Sequence, residues 1–411
     1  MRRMTRDATN PPARILPVLV LAQLLGISPW FAVNAVMPDL QRTFGWAASD
    51  IGPLSAAVQW GFIAGTLVFA LLGVADRYSA RRVFLFCALA SAGCTVAAAW
   101  AAGSGSWGGL WTWRCATGFV LAGIYPVGMR IAAQWFPQGL GSALGYLIGA
   151  LVLGSVSAHA LRAVGMTGAA WPWQSVFIGT AAASVAAGLM LTTLLPEPPD
   201  HWSASRRGLS AASLFAALTT LWTDRRLRAS VFGYFGHMWE LYTMWVLMPA
   251  ILATRLQGAA LSWAAFAVLG AGALGCAGGG AFVSRWGSAR VAAVQLAASG
   301  LCCLAAPWLL GASGLWFALW LVIWGITVAG DSPQFSALTA TNAPSQAVGS
   351  VLTLTNCIGF AISALSIEWF VSWSKTAALS SILPWLALGP LLGLWALSPL
   401  WRPAPATASS A

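Results

Sequence analysis

The sequence predicts an all-α integral membrane protein, with twelve transmembrane helices arranged as two pseudo-symmetric six-helix bundles. Three observations lead there: an apolar composition, twelve segments of spanning length, and a repeat relating the first half of the chain to the second.

Of the 411 residues, 59% are hydrophobic and 8% are charged. Soluble domains carry about 25% charged residues and need them to cover a wet surface. The net charge of +11 could suggest nucleic acid, but the basic residues fall in short clusters between hydrophobic runs, a pattern of membrane topology. No nucleic-acid partner is expected. The seven cysteines (Cys87, Cys94, Cys115, Cys276, Cys302, Cys303 and Cys357) all lie in apolar runs without ligand spacing. They predict small buried hydrophobes, with neither a zinc site nor a disulfide framework. No phosphate-binding loop occurs, so no cofactor and no metal are expected.

A helix crossing a ~30 Å hydrocarbon core needs about 20 apolar residues. Segments of that kind run approximately over 15–38, 51–74, 83–102, 108–134, 140–163, 173–195, 229–252, 259–283, 290–311, 314–338, 346–370 and 378–400. The first follows a basic N-terminus and ends at Pro38-Asp39; it is too long for a signal-peptide core and reads as the first membrane helix. With both termini cytoplasmic, sixteen arginines fall inside, and only Arg42, Arg162, Arg255 and Lys375 outside. That asymmetry sets the orientation. The longest connection is polar and rich in proline, PEPPDHWSASRRG, and divides the chain into 1–195, a cytoplasmic linker 196–228, and 229–411.

The two halves align. DRYSARR (Asp76–Arg82) corresponds to SRWGSAR (Ser284–Arg290) at an offset of 208, AGIYP at Ala122 to AGDSP at Ala329 at 207, and VMP at Pro38 to LMP at Pro249 at 211. Three matches in one order and at nearly constant spacing indicate a parallel internal repeat, a property of one large transporter class.

On these residues the chain resembles the major facilitator superfamily of secondary transporters over nearly its whole length. Asp76, Arg77 and Arg81 match that family's loop signature, with Arg82 one place beyond. Leu72 and Ser79 stand at its two glycine positions, and Ala80 at the first basic one. The second copy keeps Arg285 and Arg290 but has Ser284 for the acid. The resemblance implies that Asp76 caps a helix of the opposite half and locks an inner gate; an ordinary topogenic loop is the alternative. Arg114 and Gly118 match a second family signature, in which the arginine influences proton coupling. The competing reading is an arginine reaching toward the headgroups. Glycines at positions 141, 145, 149 and 154, and the run 270–280, read as close helix packing. The resemblance also implies a monomer, and a cavity lined by the first, fourth, seventh and tenth helices.

Few ionisable residues remain at membrane depth, and each is expensive there, by about 2.5–3.5 kcal/mol on insertion scales. In the stretch GHMWELYTMW, His237 and Glu240 are three residues apart and share a helix face with Tyr234, close enough to contact each other. Asp331 and Gln334 flank Pro333 in the tenth segment; Trp30 and Asn34 lie on the first, and Tyr125 on the fourth. Protonation relieves the cost of holding a carboxylate away from water, so Glu240 with His237 is the first candidate for proton coupling and Asp331 the second. The alternative is pairing across helices without transport. Glu368 reads as interfacial and His159 stays unassigned. Tryptophans at the segment ends (such as Trp46, Trp107, Trp171 and Trp373) read as interfacial belts.

The expected activity is proton-coupled transport of a small organic solute, with an organic anion slightly favoured and nitrate disfavoured because the second segment offers only Gln59 where a nitrate porter has arginine. Organic-cation or multidrug antiport is the alternative, and a non-transporting sensor the third reading. A membrane enzyme would need a clustered catalytic set, and His201 has only Asp200 beside it. The expected partners are the solute, protons and the lipid bilayer, in a bacterial inner membrane.

Overall fold

The computed structural model describes residues 11–136, 140–167, 170–197, 211–345 and 347–401. The linker core with Asp200, His201, Arg206 and Arg207, and the terminal Arg2, Arg3, Arg6 and Arg402, lie outside the described residues, as does the side chain of Asp76. All regular elements among the described residues are helical.

Twelve long helices succeed one another. They are α1 (Ile15–Phe44), α2 (Ala48–Leu71), α3 (Ala80–Gly103), α4 (Trp107–Trp135), α5 (Leu140–Met166), α6 (Gln174–Leu194), α7 (Arg225–Ala253), α8 (Gly258–Trp286), α9 (Ser288–Leu309), α10 (Gly314–Asn342), α11 (Val348–Trp373) and α12 (Leu379–Leu400). Eleven are long and apolar enough to cross a membrane. The other, α7, has 29 residues; His237, Glu240 and its aromatics lower its hydropathy. It can afford them because it is buried over most of its length, including His237 and Glu240 at 1% exposure each. Protein surrounds this helix where lipid would reject it.

Most boundaries fall within three residues of the sequence expectation; three differ by more, including the tenth helix, which runs to Asn342, four residues beyond 338. The first helix does not end at Pro38 but continues to Phe44 and stops at Gly45, whose φ of 69° is accessible to glycine without strain. Proline is tolerated inside membrane helices when neighbours satisfy the freed backbone groups. The seventh begins at Arg225, four residues early, because the Asp224 carboxylate accepts from the Arg226 and Leu227 amides at 2.8 and 2.9 Å and caps it. The amphipathic helix Ala211–Thr223 precedes it and packs Ala217 and Leu221 against Leu227, Val231 and Val351.

Several long helices are interrupted. A 3₁₀ turn, Ser28–Phe31, breaks α1 at Pro29; Ala122–Ile124 breaks α4 before Pro126; Asp331 breaks α10 before Pro333; and Leu383–Ala387 breaks α12. Proline at the start of a new helical stretch cannot donate to the turn before it. The breaks in α4 and α10 are repeat mates, Pro126 and Pro333 standing 207 residues apart.

Glycine contacts repeat as well. A Cβ at Gly118 of α4 would strike the Val58 carbonyl of α2, and one at Gly325 of α10, again 207 residues on, would strike the Val268 carbonyl of α8. Each half therefore packs its second helix against its fourth, backbone to backbone. Gly149 of α5 faces Ala273 of α8, and Gly154 abuts the Leu24 carbonyl of α1. Across the halves, Gly52 of α2 sits against Val371 of α11.

Candidate functional site

The breaks in α4 and α10 face a common cavity. Tyr125 beside the break in α4, Tyr234 and Tyr242 on α7, Ser332 and Ser336 beyond the break in α10, and Asn356 and Phe360 on α11 line a cavity of about 40 Å³. Met238, Leu241 and Trp245 complete the α7 wall, with Ile148, Leu151 and Val152 from α5. Discontinuous helices suit such a place, because irregular backbone at membrane depth is tolerated where it is buried or faces a cavity.

An aromatic cluster drawn from α1, α2, α7 and α11 adjoins the cavity. Trp30 of α1 stacks on Tyr242 at 5.9 Å and meets Phe360 at 5.7 Å, and Phe62 of α2 meets Phe360 at 4.8 Å. Phe31 adds contacts to Tyr242 and Trp245. These rings belong to both halves and add to the contacts between them.

Behind the cavity wall, His237 spans the break in α10. Its Nδ1 lies 2.8 Å from Oδ1 of Asp331 and its Nε2 2.7 Å from the Ser332 hydroxyl. Both acid and imidazole are buried, at 0% and 1% exposure of their side chains. Ser332 therefore links the pair to the cavity, and Tyr234 packs on the imidazole with ring centroids 5.9 Å apart.

Glu240 does not pair with His237. It turns toward α9 and α10, accepting from Ser299 Oγ at 2.9 Å, Cys303 Sγ at 3.1 Å and Trp324 Nε1 at 2.7 Å. Helical spacing put both residues on the face turned to α10; what differs is which half of the broken helix each one meets. His237 reaches Asp331 and Ser332 at the break, and Glu240 reaches Trp324 two turns earlier.

Arg114 does not extend to the headgroups either. It is 1% exposed, and its guanidinium donates to the carbonyls of Pro29, at 2.7 Å, and of Trp30. The Pro29 oxygen also accepts the Ala32 amide at the 3₁₀ turn, and a fixed fork of donors is suited to two neighbouring oxygens at once. Asn34 donates to Ser55 at 2.9 Å within the first half. Gln334 is buried beside Pro333. Neither lines the cavity.

At the ends of the bundle, Arg81 donates to the Thr192 carbonyl and lies 3.7 Å from Glu197, tying α3 to the end of α6 within one half. Arg77, Arg82, Arg285 and Arg290 are exposed. On the opposite side, Asp39 receives a bidentate contact from Arg162, at 2.9 and 2.7 Å, and a third bond from Arg42 at 2.6 Å.

The sequence reading missed Tyr242, Ser332, Ser336, Asn356 and Phe360 in the cavity, and Ser299, Cys303 and Trp324 around Glu240. Hydroxyls, amides and rings in an apolar run carry no charge to mark them. One signal was available: Ser332 and Ser336 follow the Asp331 break at helical spacing.

Comparison with known proteins agrees with this architecture. The model of the Major Facilitator Superfamily matches residues 19–367. A Streptomyces coelicolor protein named as a probable transporter is 26% identical over 389 residues, covering 91% of this chain and 85% of that one. Similar solved structures include the human organic anion transporter MFSD10, with a TM-score of 0.71 at 17% identity over 94% of this chain and 100% of that one. The xylose transporter XylE from E. coli, in a partially occluded inward-open conformation, gives 0.71 at 15% identity over 97% and 98%.

Proposed function

The chain belongs to the major facilitator superfamily, and from that premise we propose that it is a secondary active transporter moving a small organic solute by alternating access, coupled to protons. The cavity between the halves receives the solute. The aromatic cluster of Trp30, Phe62, Tyr242 and Phe360 is the gate on the side opposite the termini. In this reading both termini and the linker are cytoplasmic, the membrane is the inner one, and the chain works as a monomer with a half on either side of 196–228. The loop residues Asp76, Arg77, Arg81 and Arg82, with Arg285 and Arg290, serve the cytoplasmic gate.

The observation that carries the proton coupling is the His237–Asp331 contact at 2.8 Å, placed at the break in α10 one residue from the cavity wall. Intramembrane ionisable pairs at a broken helix mark pathways, and an imidazole beside a carboxylate can hold or release a proton without a large change in local structure. When the halves rock, the α10 break is where a backbone adjustment moves the pair relative to the cavity. Glu240, held by three donors inside the second half, fastens α7 to α9 and α10. Nothing in this chemistry calls for bond-making on the solute, so the chain acts as a carrier and not an enzyme.

The test is solute-induced proton movement in proteoliposomes, comparing the natural chain with Asp331→Asn and Glu240→Gln. The proposal expects coupled flux that Asp331→Asn removes and Glu240→Gln retains. Loss in Glu240→Gln alone would move the coupling site to Glu240. Binding of solutes without any flux would support a sensor in place of a carrier.

A further inference from the structure

The repeat that relates the two halves fails at one place, on the end of the bundle that carries the termini. In the first half the start of α3 is tied to the end of α6. Arg81 donates to the Thr192 carbonyl and lies 3.7 Å from Glu197, which also accepts from the Ser79 hydroxyl at 2.7 Å. The matching junction of the second half lies between the start of α9 and the end of α12, and it has no acid. Ser284 stands where Asp76 does, Gly287 where Ser79 does, and residues 402–411 read RPAPATASSA. From Arg225 onward the chain has three acidic residues: Glu240 and Asp331 are buried among the helices, and Glu368 is beside Trp60 toward the other end of α11. Among the described residues, Arg285 and Arg290 accordingly have no ion pair.

An open groove of about 500 Å³ occupies that junction, lined by Trp286 of α8, Arg290, Ala293 and Val294 of α9, and Trp401 at the end of α12. Its volume is that of a ligand-binding cleft, about 300–1,000 Å³. Arg290 is its one charged group, flanked by two indoles, and Trp286 is backed by Phe282 with ring centroids 5.3 Å apart. Toward the middle of α9, Val294 and Leu301 follow Arg290 at helical spacing as an apolar strip, 56% and 65% exposed. Cation, rings and then hydrocarbon succeed one another along the helix, the order that complements a phospholipid from phosphate to acyl chain. Basic pockets between membrane helices bind anionic headgroups, and tryptophan favours the same level of the bilayer. We propose that this groove holds one anionic phospholipid, its phosphate on Arg290 between Trp286 and Trp401 and an acyl chain along Val294 and Leu301. The lipid supplies the negative charge that Glu197 gives the first half, and bridges α9 to α12 as the Arg81–Glu197 contact bridges α3 to α6. A soluble anion would satisfy Arg290 and leave the apolar strip bare.

The test is lipid binding to the purified, delipidated full chain, read by native mass spectrometry. Dioleoylphosphatidylglycerol and dioleoylphosphatidylcholine share their acyl chains and differ in net headgroup charge. The first phosphatidylglycerol bound should hold roughly fivefold tighter than phosphatidylcholine, the effect of one arginine at an anionic headgroup. Arg290→Gln should abolish that preference and Arg290→Lys keep most of it. Arg14→Gln removes an equal charge from the exposed start of α1, at the same end of the bundle but outside the groove, and should leave the preference intact. A phosphatidylglycerol carrying a diazirine in its acyl chain should crosslink to the α9 segment 293–301. Equal binding of the two lipids overturns the proposal, as does an unchanged preference in Arg290→Gln, an equal loss in Arg14→Gln, or crosslinks confined to other helices. Displacement of the lipid by millimolar glycerol 3-phosphate also overturns it, and assigns Arg290 a soluble phosphate. None of these readouts depends on flux, so the lipid site and the carrier reading stand or fall separately.

Discussion

The indole N–H of Trp324 donates to the Glu240 carboxylate at 2.7 Å, with Ser299 and Cys303 completing the contacts. Hydrogen bonds to a charged group are worth about 1.5–3 kcal/mol in soluble proteins, and interhelical ones in membranes average nearer 0.6. Trp324→Phe keeps most of the ring and removes the donor. It should destabilise the chain by about 0.5–2 kcal/mol, read as a lower melting temperature in detergent, while coupled flux is kept. Lost coupling with unchanged stability would place Glu240 in the transport cycle.

Arg114 bonds the Pro29 and Trp30 carbonyls at the 3₁₀ turn of α1. Arg114→Ala removes two bonds from a charged donor, worth about 1.5–3 kcal/mol each, although the Pro29 oxygen keeps the Ala32 amide. The yield of monodisperse protein on size-exclusion chromatography should fall sharply. Arg114→Lys should rescue it only in part, because one ammonium lacks the planar fork. Full recovery with lysine would mean that charge alone matters there.

Gly118 and Gly325 occupy matching places in the two halves, each against a carbonyl of a neighbouring helix. Valine at either site must push α2 from α4, or α8 from α10. Overpacking typically costs about 1–3 kcal/mol, and both variants should lower thermal stability by similar amounts. Gly278→Val, where nothing stands within 4 Å of the new Cβ, serves as the control and should be neutral.

In the proposed gate Trp30 packs on Phe62, Tyr242 and Phe360. An aromatic pair contributes about 0.5–1.5 kcal/mol beyond area burial. Trp30→Ala removes three such pairs from the gate, those with Phe62, Tyr242 and Phe360. In a chain freed of its seven cysteines, a reporter Ser336→Cys should react roughly tenfold faster with an impermeant thiol reagent added on the side opposite the termini. An unchanged rate would show that the ring cluster is not the barrier.

Much of the fold was legible in the residues because membrane-spanning length, apolar composition and the spacing of repeat mates are one-dimensional properties. The twelve segments, the match between Pro126 and Pro333, and the abnormal polarity of GHMWELYTMW could all be read along the chain. Helix periodicity also placed His237 and Glu240 on one face. It could not say which partner each would find, since α10 changes direction at Asp331 and meets that face with two different stretches. Nor could it show that Pro38 would be carried within α1, because the outcome depends on groups supplied by neighbouring helices.

The sequence by itself therefore determined that this is a two-fold repeated, twelve-helix membrane protein, with a few costly polar groups sunk in its interior. Only the tertiary structure decided what those groups do for one another. It sent Arg114 to the carbonyls of a broken helix, joined His237 to Asp331, enclosed Glu240 among Trp324, Ser299 and Cys303, and walled the cavity with rings. The physical reason is that a buried polar group must be satisfied by whatever the packing brings within about 3 Å, and long-range packing is not written in the order of residues along one helix.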